Sequence, residues 1–168
     1  MSKFSPKWDY IIKDGTCFDG SGDLPRVLDI AVKDGRVVQM DENLPAENAK
    51  EIIDAAAQWV MPGLVAVHTH YDLELEVSPG LPESVRHGTT TVVMSNCSLG
   101  LAFGAQRKDG DDPIISCFAR VENMPKHVLE KCADKVFWND SKEYLDHLET
   151  RPKGPNVVPM IPHSMLRI

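Results

Sequence analysis

Leu28, Ile30 and Val32 alternate with Asp29 and Ala31, a period of two that puts three apolar side chains on one face of a strand. The same short rhythm fills residues 9–54. Tyr10-Ile11-Ile12 runs into Asp14-Gly15, Thr16-Cys17-Phe18 into Asp19-Gly20-Ser21-Gly22, and 28–32 into Lys33-Asp34-Gly35-Arg36 ahead of Val37-Val38-Gln39-Met40. Asp-Gly between apolar runs signals a hairpin, because type I′ turns need positive φ at both central positions. The pattern predicts a small antiparallel sheet whose apolar face must pack against something. A polar connector over 44–50 and a last short strand, Glu51-Ile52-Ile53-Asp54-Ala55, follow.

The rhythm changes at Trp59-Val60-Met61-Pro62-Gly63. Leu64-Val65-Ala66-Val67 is apolar at consecutive positions, which predicts a strand buried on both faces, as in a parallel sheet or barrel. It ends in His68-Thr69-His70-Tyr71-Asp72, and the strand period directs His68 and His70 to one side and Thr69 to the other. Pro79-Gly80 and Pro82 predict a loop with at most a short helix, then a two-turn helix over 81–87 capped by Gly88. Thr89-Thr90-Thr91-Val92-Val93-Met94 is β-branched and predicts the second parallel strand. A right-handed βαβ crossover then brings Cys97, in Ser95-Asn96-Cys97-Ser98, beside the two histidines. The aspartates in 106–113 miss the spacing of a calcium loop and predict a solvated segment. Met124, Val128, Leu129 and Cys132 predict a helix over 121–136, with Pro125 near its start. Asp140-Ser141-Lys142-Glu143 resembles a capping box and opens a helix to about Thr150. A third strand is expected over 156–161, leading to His163. His87, His127 and His147, set among charged residues, are expected to be solvated.

The chain has 168 residues, 42% of them hydrophobic, and a net charge of −7. An acidic chain with a pI near 5.3 offers no basic face for nucleic acid or an anionic membrane. No apolar run approaches the roughly 20 residues of a membrane span, and the first residues lack a signal peptide's apolar core, so a cytoplasmic protein is expected. Cys17, Cys97, Cys117 and Cys132 show no Cys-x-x-Cys pairing, which predicts reduced thiols.

Two imidazoles converging at a buried strand end need a compensating partner, and a metal is the natural one. A catalytic zinc takes about three protein ligands and keeps an open position. Cys97 is the candidate third ligand, against the ordinary fate of cysteine as a buried free thiol.

The segment around His68 and His70 resembles the first barrel strand of the amidohydrolase superfamily. The longer pattern, from about Asp9 to Arg167, is similar to the N-acyl-D-amino-acid deacylases (D-aminoacylases). It rests on Asp-Tyr-Ile-Ile-Lys-Asp-Gly-Thr at 9–16, Asp-Gly-Ser-Gly at 19–22, Ala-Val-Lys-Asp-Gly-Arg-Val at 31–37, His-x-His, Asn96-Cys97, and Pro162-His163-Ser164-Met165-Leu166-Arg167. The resemblance implies an α/β fold: a small antiparallel β-sandwich segment over 1–58, then a partial TIM-like (β/α) barrel of about three strands over 59–168. A whole barrel takes about 250 residues, so the chain reads as an N-terminal part.

The implied activity is hydrolysis of a linear C–N amide bond, in a small N-acyl amino acid, by water activated on one or two zinc ions. His68, His70 and Cys97 would hold metal, and His163, Arg167 and Asp72 would meet substrate, Arg167 through a bidentate contact to a carboxylate. Two departures from the family pattern stand out: serines 95 and 98 replace its glycines around Asn-Cys, and Tyr71 replaces the first of two aspartates after His-x-His. The family's remaining histidines and its general-base aspartate are expected beyond Ile168. No catalytic acid or base is therefore assigned within the chain, and the isolated chain is expected to bind zinc weakly and to turn nothing over. Two alternatives stay open. One is a dihydropyrimidinase-like cyclic amidase, which would show a lysine later in the chain, whereas Cys97 favours the deacylases. The other is a non-catalytic interaction or oligomerisation module, even a homo-oligomer, invited by an open barrel edge.

Overall fold

The computed structural model describes residues 6–104 and 112–167. Most of the charged segment expected at 106–113, and residues 1–5 of the chain start, lie outside the described residues. The chain divides into two compact units, Met1–Pro62 and Gly63–Ile168.

The first unit is built on β1 (Trp8–Cys17). Strand β2 (Arg26–Lys33) pairs with it antiparallel, Tyr10 opposite Val32 and Ile12 opposite Ile30, and β3 (Arg36–Asp41) extends the sheet from β2. Asp34 and Gly35, at φ 49° and 72°, make the expected turn between β2 and β3. Two expectations are corrected. The sheet is mixed, because the connector after β3 carries the chain to the far side of β1, where β4 (Ala49–Asp54) and β5 (Trp59–Val60) pair with it in parallel. Trp59 and Val60, read from sequence as the start of the second part, are therefore strand partners within the first unit. Asp14-Gly15 is no hairpin but an irregularity inside one continuous strand. Asp14 takes φ 58° and donates its N–H to Asp29 Oδ1 at 3.0 Å, while a Cβ on Gly15 would stand 2.5 Å from Val60 Cγ2. Close approach of β5 to the kink requires glycine there.

Leu28, Ile30 and Val32 are buried as the alternation predicted, in a cluster with Cys17. Between them Asp29 is also fully buried, and its carboxylate accepts from Lys13 Nζ at 2.5 Å and from the backbone N–H groups of Asp14 and Leu44. Burial raises its pKa, but these three donors together outweigh it and hold the group below its ordinary value of 3.8. The buried anion ties three separate segments of the unit together.

The second unit holds a parallel sheet of β6 (Leu64–Thr69), β7 (Thr89–Met94) and β8 (Asn156–Pro159), with β7 central. Two short helices, α1 (Glu74–Val77) and α2 (Pro82–Arg86), link β6 to β7. Three more, α3 (Pro113–Val121), α4 (Lys126–Ala133) and α5 (Ser141–Thr150), lie between β7 and β8. Val92 and Met94 of β7 are completely buried, in one core with Phe118, Leu129, Trp138 and Tyr144. Leu64, Val65 and Val67, expected to be buried on both faces of β6, are instead 55%, 55% and 65% exposed. The reason is topological: among the described residues β6 pairs only with β7 and forms the edge of the sheet.

The helix expected over 121–136 is the shorter α4, and the separate α3 ends where that span begins. Asn123 at φ 53° ends α3, and Pro125, in extended conformation, starts α4. Helix α3 had a readable start, since Asp112 caps Ile114 and Ile115 and Pro113 occupies the first turn. Helix α5 begins as the capping pattern predicted. Asp140 accepts from Glu143 N, and Glu143 reaches back to Asn139 N. His147, expected to be solvated, is corrected. It packs against the Trp138 ring at 4.8 Å and meets Glu76 at 2.9 Å, with side chains 9% and 2% exposed, while His87 and His127 are exposed.

Two stability outcomes follow from these contacts. Asp29→Ala should cost about 2–3 kcal/mol in urea unfolding, because it removes the anion facing Lys13 and the acceptor of the buried Leu44 N–H and the part-buried Asp14 N–H. Because the folded pKa is depressed, the carboxylate's contribution is complete above about pH 4 and is lost as pH falls through the lowered value, so Asp29→Asn should flatten that acid limb. Ser98 sits at φ 76°, a conformation costing about 1 kcal/mol for a residue with a Cβ. Ser98→Gly should therefore raise stability by about that amount in the same measurement.

Candidate metal centre

Strands β6 and β7 run in parallel with Thr69 opposite Met94, so the chain exits both strands at the same end of the sheet. Thr69 is buried and donates its hydroxyl to Val93 O at 2.8 Å, which pins the odd member of His-x-His to the neighbouring strand. The even members turn the other way. His68 Nε2 and His70 Nε2 stand 3.2 Å apart, and Cys97 Sγ lies 2.7 Å from His70 Nε2. The ligand atoms of His68, His70 and Cys97 all fall within 4.8 Å of one another, with His68 exposed and the other two half-buried.

Around a tetrahedral zinc, two nitrogens would stand about 3.3 Å apart, and a nitrogen and a sulfur about 3.5 Å, from bond lengths of about 2.0 and 2.3 Å. The histidine pair already has that spacing, and Cys97 Sγ would have to withdraw from His70 Nε2 by less than 1 Å. Two neutral nitrogens and a thiol suit a borderline-soft divalent ion. The three residues can thus hold a metal and leave a position free.

The loop that carries Cys97 is held from three directions. Asn96 Nδ2 donates to Val67 O at 2.6 Å, which fastens the loop to the strand bearing His68. Ser164 Oγ donates to Ser98 O, and Ser95 Oγ donates to Asp72 Oδ1 at 3.2 Å. Ser95 and Ser98 have φ of 68° and 76°. Glycine is the residue that adopts this backbone without cost, and here two serines take it while bonding their surroundings.

The sequence-derived site residues do not all gather here. Asp72 is fully buried and accepts from Leu101 N, Ser95 Oγ and Tyr144 OH at 3.0–3.3 Å, with Oδ2 unpartnered. Burial drives its pKa up, partly offset by those donors, and burial likewise raises the Tyr144 phenol, with the Asp72 charge adding to it. Asp72 therefore ties the exit of β6 to the exit of β7 and to α5 from inside the core, and the substrate contact expected of it is corrected. His163 and Arg167 are exposed at either side of a short 3-10 turn, Ser164–Leu166, and belong neither to the three-ligand cluster nor to the adjoining cavity among the described residues.

That cavity, about 550 Å³, opens beside His68 and His70, with walls that include Tyr71, Val77, Phe118, Met124 and Val128. Sequence reasoning missed Glu122, at the end of α3, whose Oε1 meets His70 Nδ1. Fifty-two residues separate the two, and no local pattern joins them.

No protein-family model matches the chain. It is 42% identical over 162 residues to an uncharacterised protein of Mycobacterium tuberculosis, a match covering 95% of this chain and 26% of that protein. An N-acyl-D-aspartate deacylase of Alcaligenes xylosoxydans xylosoxydans is 30% identical over 161 residues, covering 95% of this chain and 29% of the relative. Among solved structures, an N-acyl-D-glutamate deacylase of Bordetella bronchiseptica, complexed with zinc and a phosphonate inhibitor, superposes with a TM-score of 0.74. It is 28% identical and covers 96% of this chain and 31% of that one. A D-aminoacylase with a binuclear metal centre gives 0.72 at 28% identity, covering 95% and 31%. The chain spans about three-tenths of the length of these relatives. Along nearly all of its own length, in sequence and in fold, it is similar to the opening part of N-acyl-D-amino-acid deacylases of the amidohydrolase superfamily.

Proposed function

We propose that this chain carries part of the metal centre of an amidohydrolase acting on the linear amide of an N-acyl-D-amino acid, with β6, β7 and β8 as the opening strands of its barrel. The observation that carries the reading is the meeting of His68, His70 and Cys97 at the exits of two adjacent parallel strands, in a chain whose relatives are deacylases over 95% of its length. The cyclic-amidase alternative is weaker, since a dihydroorotase matches only 73% of the chain, at 28% identity.

Zinc bound by these side chains would supply a Lewis acid that polarises an amide carbonyl and acidifies a water. The chain's own residues do the rest of what can be assigned. His68 and His70 offer neutral nitrogens, held on one side by the strand period. Cys97 offers a thiolate that lowers the charge of the centre, placed by Asn96 on Val67 O. The apolar wall of Val77, Phe118, Met124 and Val128 beside the histidines suits an apolar portion of the substrate. His163 and Arg167, exposed beyond β8, are the residues offered to the substrate, Arg167 to its carboxylate.

Cobalt(II), added in excess to the reduced 168-residue chain, should give a thiolate-to-metal absorption band. Cys97→Ser should abolish it, and His68→Ala should weaken binding by at least about tenfold, whereas Cys117→Ser should leave the band in place. A band that survives Cys97→Ser would sink the assignment. The same chain, zinc-loaded, should release no D-amino acid from N-acyl-D-aspartate, N-acyl-D-glutamate or an N-acyl-D-amino acid with an apolar side chain. Turnover lost in His68→Ala would show instead that these residues suffice.

A further inference from the structure

Glu122 is the last residue one would place at its position for the sake of the helix. It stands at the C-terminal end of α3, its backbone N–H donating to Phe118 O at 2.9 Å. A carboxylate there opposes the helix dipole, which favours cations at that end. Asn123, at φ 53°, turns the chain immediately afterwards. The side chain of Glu122 meets His70 Nδ1, with the two groups 32% and 25% exposed.

We propose that Glu122 is a positioning residue for the metal centre, fixing the tautomer and the ring orientation of His70. The inference rests on the metal-binding reading of His68, His70 and Cys97 for its purpose, but not for its geometry. An ionised carboxylate only accepts hydrogen bonds, so His70 Nδ1 must carry the proton. In the neutral ring Nε2 then keeps its lone pair, and Nε2 is the atom that faces both His68 Nε2 and Cys97 Sγ. A ligating histidine whose second nitrogen donates to a carboxylate is a more basic and better aimed ligand. His68 and Cys97 have no such carboxylate partner among the contacts of the described residues. Glu122 thus anchors α3, and with it the Phe118 wall of the cavity, to the ligand that both other ligands face.

Two measurements test this separately. In the metal-free chain at about pH 8, where imidazole is neutral, two-bond proton–nitrogen correlation spectra should show His70 protonated on Nδ1. The same spectra of Glu122→Ala should show His70 with the Nε2–H form that predominates in unconstrained imidazole. In cobalt titrations Glu122→Ala should bind about 10- to 100-fold more weakly than wild type. Glu122→Gln, whose amide oxygen can still accept from Nδ1, should recover part of that loss. An Nε2–H tautomer for His70 in the wild-type chain would overturn the proposal, and so would unchanged cobalt affinity in Glu122→Ala. If the wild-type chain shows no Cys97-dependent cobalt band, the metal reading fails, while the tautomer measurement still decides the role of Glu122.

Discussion

The parallel pairing of β6 with β7 is the constraint on which the rest of the second unit depends. It sets Thr69 against Met94, and the hydroxyl of Thr69 on Val93 O fixes which way the intervening residue points. With that one side chain turned inward, His68 and His70 have only the opposite side available. The same register delivers the exit of β7, and hence Cys97, to the place where the histidines converge. No contact local to either strand could accomplish this, because 27 residues separate His70 from Cys97. Asp72 completes the junction from beneath: a buried carboxyl shared by Ser95, Leu101 and Tyr144 closes the two strand exits against α5. Its burial makes a charge expensive there, as the raised pKa records.

Much of this was legible in the residues, and the reasons are physical. Strand periodicity is a local property, so His68, Thr69 and His70 could be sorted onto faces without a structure. The β-branched run 89–94 and the short crossover before it were enough to place Cys97. The Asp140 cap and the Asp34-Gly35 turn are likewise local chemistry. What could not be read depended on partners distant in sequence. Asp14-Gly15 carries the signature of a hairpin, yet Asp29 and Val60 convert it into a kink within a strand. Leu64, Val65 and Val67 are apolar enough for an interior strand, but burial depends on what lies alongside, and β6 is an edge among the described residues. His147 looked solvated in a charged helix until Glu76 and Trp138, from other segments, enclosed it.

The departures from the deacylase pattern also acquire a physical meaning. Ser95 and Ser98 stand where the family has glycine, and both adopt positive φ. Both hold a conformation that glycine would take freely; Ser95 fastens the loop to Asp72 through its side chain, and Ser98 fastens it to Ser164 through its backbone carbonyl. Tyr71, in place of an aspartate, turns its ring to the cavity wall and its hydroxyl to Ser84. The wall beside the histidines is thereby made less charged, in keeping with Val77, Phe118 and Met124 around it.

X-ray absorption at the zinc edge of the reduced, zinc-loaded chain tests the central claim most directly. The account predicts a first shell of mixed nitrogen and sulfur, with one sulfur at about 2.3 Å and imidazole nitrogens at about 2.0–2.1 Å. It also predicts that the sulfur contribution vanishes in Cys97→Ser. A shell of oxygen and nitrogen alone in the wild-type chain, or a sulfur shell unchanged by that substitution, would contradict it.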